Sequence, residues 1–338
     1  MSLQDQVNDD SLPWLLEDEP PGVRYLAMRD LLDFPTTDKD FIIARSKAHT
    51  DGPIGTILAQ MDNEGFWKKA GPGYLPKYWS TVWSIITLGQ LGASGDIDGR
   101  VFRACDYILD HALTKMGQFS ASGTPGSNVD CLQGTLCAAL IDLGCEDPRL
   151  DGALEWMARS VTGEGVAPNT ERQATVRYYA GNCGHGFACG ANNKLPCAWG
   201  GVKVMLAFSK LPAGERTPLI KRAIKRGLEF LFSVDPAGAE YPSGWNPKPS
   251  GNWWKFGFPV FYVTDLLQNV EALVGLDLGD DPRLVNALNL IREKQDDQGR
   301  WTLDYSYAGK TWVDFGPKKQ ANKWVTLRAL RVLKGVSA

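Results

Sequence analysis

The pattern of apolar and polar positions divides most of the chain into helices of two kinds. One kind is apolar around nearly its whole circumference and must therefore be covered on both sides. We place five of these at residues 79–91, 131–143, 197–211, 261–276 and 323–334. The other kind has a single apolar stripe and follows each of the first four, at residues 99–112, 147–160, 217–233 and 281–294.

Recurring helix openings indicate that these pairs form an internal repeat. The apolar helices open with either an aromatic-x-Thr or a Cys-x-x-Gly pattern, and they recur roughly every 50–65 residues. Three of the striped helices begin with an N-cap residue followed by proline, which is a strong start signal. These signals are Asp147-Pro148, Thr217-Pro218 and Asp281-Pro282.

Alternating helices of these two kinds predict an all-α fold, an α/α toroid with an inner barrel ringed by outer helices. We expect about five to six helical hairpins. Residues 23–32 are typical of a partial or capping hairpin, so we divide the chain into N-terminal capping helices, 1–52, and the toroid, 53–338, within one domain overall. Strand-like sequence is confined to residues 305–313, where a short hairpin is expected.

Three motifs resemble those of the terpenoid-cyclase and protein-prenyltransferase toroid superfamily. Residues 295–301 (QDDQGRW) resemble its Gln…Gly-x-Trp repeat, 62–67 (DNEGFW) resemble a degraded copy, and 323–328 (KWVTLR) fit the inner helix that follows. Within that superfamily, the chain resembles bacterial proteins that contain prenyltransferase-type repeats. This resemblance covers about residues 53–334 and implies an α/α barrel with a large apolar cavity and, in catalytic members, an isoprenoid substrate.

The catalytic motifs of that superfamily do not carry over. An Asp-x-Asp-Asp acid motif is absent from the inner helices, since Asp96 and Asp98 lie in a loop. The Cys and His residues also differ from the zinc site of the prenyltransferase β subunits. If the protein is an enzyme, the resemblance implies a prenyltransferase-like or terpene-cyclase-like transferase or isomerase.

Charge and composition exclude several other classes of function. The net charge is −3, and the sequence does not indicate the clustered basic face that binds nucleic acid, so we expect no nucleic-acid partner. No apolar run approaches the ~18 residues of a membrane span. The N-terminus is polar and lacks the apolar core of a secretory signal, which favours a cytoplasmic location and free cysteines. A partner protein chain, as in a prenyltransferase β subunit, stays an open alternative.

The clustered cysteines suggest a metal site. Inner helices of a toroid run parallel, so Cys131 and Cys197, which open neighbouring inner helices, should meet Cys183 and Cys189 of the preceding loop. Helix N-termini favour the thiolate form, and thiolates select zinc or an iron–sulfur cluster. Buried inert thiols and a disulfide are the alternatives, and His185 is a substitute ligand, a general acid or a structural loop residue.

Asp265 and the aromatic residues complete the candidate site. Asp265, placed one turn into an apolar helix, is either a proton donor at the cavity or a carboxylate that caps loop amides and pairs with an arginine such as Arg328. Aromatic side chains near the inner-helix starts could bind an isoprenoid chain and shelter a carbocation, or they could simply pack. These are Trp79, Trp83, Trp199, Tyr262 and Trp324.

We therefore expect a toroid that binds an apolar, isoprenoid-type molecule in its central cavity, with zinc as the expected metal and an iron–sulfur cluster or no cofactor as alternatives. The second hypothesis is a non-catalytic toroid that binds a lipid or a protein and holds a structural zinc. Two long loops, 180–196 and 237–259, are expected to emerge beside the cysteines as lids.

Overall fold

The computed structural model describes residues 11–166, Gln173 and residues 183–336, and within these the regular secondary structure is almost entirely helical. We number the α-helices in chain order. They are α1 (Ser11–Leu15), α2 (Pro21–Asp30), α3 (Lys39–Thr50), α4 (Pro53–Leu58), α5 (Thr81–Gln90), α6 (Arg100–His111), α7 (Asp130–Asp142), α8 (Arg149–Thr162), α9 (Ala198–Ser209), α10 (Pro218–Leu231), α11 (Leu266–Val274), α12 (Val285–Glu293) and α13 (Lys323–Val336).

Six helices form the inner barrel: α2, α5, α7, α9, α11 and α13. Their order around the ring follows their contacts, α5 with α7, α7 with α9, α9 with α11, α11 with α13 and α13 with α2. The five predicted apolar helices are five of these six, as their all-round apolar character requires. The sixth, α2, occupies the segment that the sequence indicated as a partial hairpin. The α/α toroid predicted from the sequence is confirmed.

Small residues let the ring close tightly. A Cβ atom on Gly134 of α7 would lie 2.4 Å from the backbone carbon of Lys203 on α9. A Cβ on Gly22 of α2 would lie 2.9 Å from the Trp324 ring of α13. A Cβ on Gly92, just after α5, would lie 2.6 Å from the Leu26 side chain of α2. The first and last thirds of the chain therefore meet, and the inner helices enclose a central space.

The outer helices begin where the sequence signals placed them. The Thr217 side chain accepts a hydrogen bond from the Ile220 amide at the start of α10. The Asp281 carboxylate accepts one from the Arg283 amide in the short 3₁₀ turn (Pro282–Leu284) that precedes α12. At α8 the N-cap position is Pro148, and the Asp147 carboxylate, one residue earlier, accepts a hydrogen bond from the Arg149 amide at 2.8 Å. Each cap satisfies an amide that lacks a partner within its helix.

The observed strands differ from the prediction in two ways. The predicted hairpin at residues 305–313 is wrong: this segment has only an isolated bridge from Tyr305 to Gly257. Within the described residues the one two-stranded sheet pairs β1 (Cys183–Gly184) with β2 (Ala188–Cys189). In the same residues, none of the helices has both the length and the apolar character that a membrane crossing requires.

Candidate functional site

A central cavity of about 410 Å³ opens at one end of the inner barrel. All six inner helices contribute to its wall, and they do so toward their C-terminal ends, which confirms that they run parallel. The apolar part of the wall is mainly aliphatic, with Phe258 as its aromatic member, and includes Ile86, Ala138, Leu206 and Val332. A cavity of this volume is within the range that binds small molecules in proteins.

Charged residues surround the apolar wall. They form three ion pairs, each between two inner helices: Arg331–Asp30, Lys210–Asp142 at 2.7 Å and Arg328–Glu271 at 2.8 Å. Because helix C-termini carry partial negative charge, cations are favoured at this end of the barrel. The cavity is thus amphipathic, whereas the sequence and the resemblance predicted a mainly apolar one.

The innermost ion pair joins Asp265 to Arg328. The two Asp265 oxygens accept hydrogen bonds from the Arg328 guanidinium at 3.0 and 3.1 Å. Asp265 also accepts from the amides of Gln268, at 2.7 Å, and Gly257, at 3.2 Å. These contacts match one of the two roles that the sequence left open for Asp265, a carboxylate that caps loop amides and pairs with Arg328. A catalytic role for Asp265 stays a prediction.

The position of Asp265 in its helix corrects the sequence analysis. We expected it one turn into a helix that begins at residue 261, but α11 begins at Leu266 and Asp265 is its N-cap. The side chain holds the helix start by accepting from the third residue's amide, as aspartate commonly does. The residues before it, 261–264, form no helix.

Lys203 lies just below the cavity floor. It is in the middle of α9, its side chain is fully buried, and its Nζ donates a hydrogen bond to the Gln268 side-chain oxygen. Gln268 itself lines the cavity. Burial lowers the pKa of Lys203 to about 7, although the negative charge of Asp265 acts to raise it. A lysine with these properties beside a cavity is a candidate functional residue.

Aromatic side chains close the opposite end of the barrel. Trp83 is 2% exposed and packs edge-on against Tyr262 at 6.2 Å between centroids, and Tyr262 in turn contacts Trp199 at 6.5 Å. Tyr78 stacks on the same group and donates its hydroxyl to Tyr262 at 3.1 Å. Here a void of about 10 Å³, lined by residues that include Trp83, Tyr262 and Cys131, shares Ile86 and Thr135 with the large cavity.

The other two aromatic candidates lie outside this cluster. Trp79 packs edge-on against Trp312 at 5.0 Å and is half-buried. Trp324 is buried against α2 and stacks on Phe258 at 4.8 Å. Three of the five predicted ligand-binding aromatics are therefore brought together, and a ligand-binding role for each of the five stays a prediction.

Two of the four predicted metal ligands contact each other. Cys197 donates its thiol hydrogen to the sulfur of Cys189, and this contact, with the amides of Ala191 and Asn192, lowers the pKa of Cys189 to about 6. Cys131 is near enough for its charge to interact with Cys189, and burial raises the pKa of Cys131 to about 12.

The fourth predicted ligand and the histidine lie apart from these thiols. Cys183 packs with Trp156 and Val166 in a separate cluster and donates to the Asn128 side chain at 3.1 Å. The His185 ring lies against Gly163, at the end of an outer helix, and burial with the charge of Arg226 lowers its pKa. In the part of the chain that the structure describes, no three His, Cys, Asp or Glu residues are grouped to hold a metal.

The structure therefore does not assemble the predicted four-thiolate site. Zinc, with an iron–sulfur cluster as its alternative, remains a prediction, which elemental analysis of the purified protein would test.

Asp130, at the start of α7, is an unpredicted member of the same region. It is 6% exposed, accepts a hydrogen bond from Ser160 at 3.3 Å, and burial raises its pKa to about 7.

The two predicted lid loops meet, although residues 180–182 of the first lie outside the described residues. The Asn192 side chain donates to the carbonyl of Pro242 at 3.0 Å and accepts from the Gly244 amide at 3.0 Å. Trp245 donates its indole hydrogen to the Ala191 carbonyl at 2.6 Å. The loops thus form one layer next to Cys189 and Cys197, as expected from the sequence.

Comparisons with known proteins give distant structural similarity only. No protein-family model and no curated protein sequence matches the chain. Solved structures with similar architecture include a glycosyl hydrolase of family 88 from Bacteroides vulgatus, with 13% identity, a TM-score of 0.49 and coverage of 100% of this chain and 94% of that one. A type II terpene cyclase, MstE from Scytonema, has 13% identity, a TM-score of 0.30 and coverage of 88% and 98%. At these values the similarities say nothing about ligand or reaction.

Sequence reasoning missed Lys203, Gln268 and the charged rim. One signal was available: Lys203 is the one charged residue between Cys197 and Phe208 in a helix that is otherwise apolar. A charge at such a position must be paired or functional. The rim pairs gave no comparable signal, because each joins residues that are distant in sequence and lie at helix ends, where charged residues are common.

Proposed function

We propose that this protein binds a small amphipathic molecule, of isoprenoid type with a polar head group, in the central cavity. The amphipathic lining of that cavity is the observation that carries the proposal. The aliphatic wall matches a hydrocarbon portion, whereas the ion pairs at the rim would lose hydration beneath a ligand without polar atoms. A polar head group that hydrogen-bonds to these pairs removes that cost.

The lining that the large cavity shares with the aromatic end supports one orientation of the ligand. Ile86 and Thr135 line both the large cavity and the aromatic void, which at about 10 Å³ holds no more than one water, so the ligand itself would lie in the large cavity. The head group would lie at the charged rim, and the hydrocarbon chain would point down the barrel toward Trp83 and Tyr262. Isoprenoid chains are also the ligand class that the Gln…Gly-x-Trp motif implies.

Calorimetric titration with geranyl diphosphate, geraniol and a linear alcohol of similar length tests the proposal. We expect a prenyl compound to bind the wild-type protein. Ala138→Phe should weaken that binding by roughly tenfold or more, because the ring fills the cavity. Ala213→Phe, in an exposed loop, is the matched control and should leave binding unchanged.

Two results would contradict this function. The first is the absence of binding by every prenyl compound to wild-type protein. The second is equal affinity of the wild-type protein and Ala138→Phe, which would place the ligand elsewhere. Tighter binding of the linear alcohol than of the prenyl compounds would retain the cavity as the site but reject the isoprenoid class.

A further inference from the structure

A primary amine is buried at the centre of the barrel with few polar neighbours. Lys203 is 0% exposed and lies on α9 one turn before Leu206, which lines the large cavity. Its ammonium form has three donors, and within the described residues its Nζ makes one hydrogen bond, to Gln268. Burying a charged ammonium group with two unused donors is unfavourable, so this environment favours the neutral amine.

The charged groups around Lys203 come from three helices. Asp265, the N-cap of α11, and Glu271 within α11 attract a proton to the amine, and Cys131 of α7 does so when ionised. Arg328 of α13 opposes protonation. Both carboxylates are already paired with Arg328, so neither supplies a dedicated partner for Lys203. Burial is the largest effect, and the pKa of Lys203 falls to about 7.

Only one side chain separates this amine from the ligand cavity. Gln268 contacts Lys203 Nζ through its side-chain oxygen and is itself part of the cavity lining. Rotation of the Gln268 side chain would expose Nζ to a molecule in the cavity. A desolvated lysine next to a cavity is the arrangement in which amines act as nucleophiles toward carbonyl groups.

We propose that Lys203 is a nucleophilic amine that forms an imine with an aldehyde or ketone group of a molecule in the central cavity. Nζ adds to the carbonyl carbon to give a carbinolamine. The carbonyl oxygen then leaves as water with the two amine hydrogens, and a C=N bond remains. Reduction by cyanoborohydride adds a hydride to carbon and a proton to nitrogen, which makes the link permanent. The proposal uses the cavity assigned above but does not depend on an isoprenoid ligand.

The experiment incubates the full-length protein with butanal and cyanoborohydride and maps the labelled lysines by peptide mass spectrometry. Lys225, exposed on the outer helix α10, serves as an internal reference. At neutral pH an ordinary exposed lysine, with a pKa of about 10.4, is almost wholly protonated. We therefore expect Lys203 to be labelled roughly tenfold or more faster than Lys225 at pH 7, and its rate to level off above that pH.

Variants test access and identity. Gln268→Ala removes the side chain that covers Nζ and should speed labelling of Lys203. Ala138→Phe fills the cavity and should slow it, whereas Ala213→Phe should not. Lys203→Met should remove the fast-labelled site while its near-ultraviolet circular dichroism stays that of the wild type, which shows that the barrel is intact.

Labelling of Lys203 no faster than that of Lys225 in both wild type and Gln268→Ala would overturn the proposal. Failure of the ligand hypothesis is distinguishable from this result. Fast labelling of Lys203 without binding of prenyl compounds would reject the isoprenoid ligand alone. In the converse case, prenyl compounds bind the wild type and not Ala138→Phe, while Lys203 is labelled no faster than Lys225 in the wild type and in Gln268→Ala. That result would reject the amine chemistry alone.

Discussion

The amide nitrogen of Trp301 donates a hydrogen bond to the hydroxyl oxygen of Thr326, 2.9 Å away on the next inner helix. The Trp67 amide makes the same contact with Thr81, at 3.2 Å. In both cases the indole nitrogen donates to the last turn of the preceding helix, at Ile291 and Ile57. The repeat motif therefore joins an outer element, a turn and the following inner helix.

A third copy of this turn is present at residues 114–119, and sequence analysis did not find it. Phe119 takes the place of tryptophan, and its amide donates to the side chain of Gln133 at 2.7 Å. The turn glycine, Gly117, has a positive φ of 86°, as Gly65 and Gly299 do in the other copies, at 101° and 76°. Glycine is favoured there because residues with a Cβ rarely adopt this conformation.

Thr326→Val tests the contact from Trp301. The substitution preserves shape but leaves the buried Trp301 amide without its acceptor, so we expect a loss of about 1–3 kcal/mol in the free energy of unfolding. Urea denaturation measures this. Thr36→Val, at an exposed position, is the matched control and should change little. Equal stability of the two variants would show that the contact does not hold the repeat together.

Gly134→Ala tests the close contact between α7 and α9. Its new methyl group would lie 2.4 Å from the Lys203 backbone, so the helices must separate, and we expect a loss of about 1–3 kcal/mol. Gly152→Ala is the control, because the space around Gly152 on the outer helix α8 is open. That variant should gain about 0.5–1 kcal/mol from helix propensity. Opposite signs in thermal or urea unfolding are the expected result.

Arg328→Met tests the ion pairs inside the barrel. The side-chain accessibility of Arg328 is 4%, and its removal leaves the carboxylates of Asp265 and Glu271 without their shared partner. We expect a loss of about 3–5 kcal/mol in the free energy of unfolding. Arg222→Met breaks the exposed pair with Glu164 and should have no resolvable effect. Similar losses in both variants would mean that burial does not set the strength of these pairs.

Asp130→Asn tests the buried carboxyl at the start of α7. Burial raises its pKa from 3.8 to about 7, so between these values the folded state retains a proton that the unfolded state has released. The wild-type free energy of unfolding should therefore fall as pH rises from about 4 to about 7, and this decline should then stop.

The Asn variant cannot titrate at this position, so its stability relative to the wild type should grow across that interval. Urea denaturation at several pH values measures the difference. Asp151→Asn, at an exposed position of α8, is the control and should follow the wild type. A pH-independent difference between Asp130→Asn and the wild type would show that Asp130 is ionised in the folded protein.

The sequence predicted the helices because their periodicity reflects which faces must be covered. Segments 131–143 and 197–211 are apolar all round, and each became an inner helix within two residues of the expected ends. Caps such as Thr217 were equally readable, since a cap acts on amides within three residues of itself. Local signals failed at Asp265, because the apolar run was read as helix from residue 261 whereas the helix begins at Leu266.

The sequence by itself determined the two-layer helical ring, because apolar periodicity and helix caps are properties of neighbouring residues. Tertiary structure alone decided the site. Lys203 lies beside Gln268, and Arg328 between Asp265 and Glu271, only because successive inner helices pack side by side and bring residues 57 to 71 positions apart into contact. The burial that shifts the pKa of Lys203 comes from this enclosure, and no spacing along the chain encodes it.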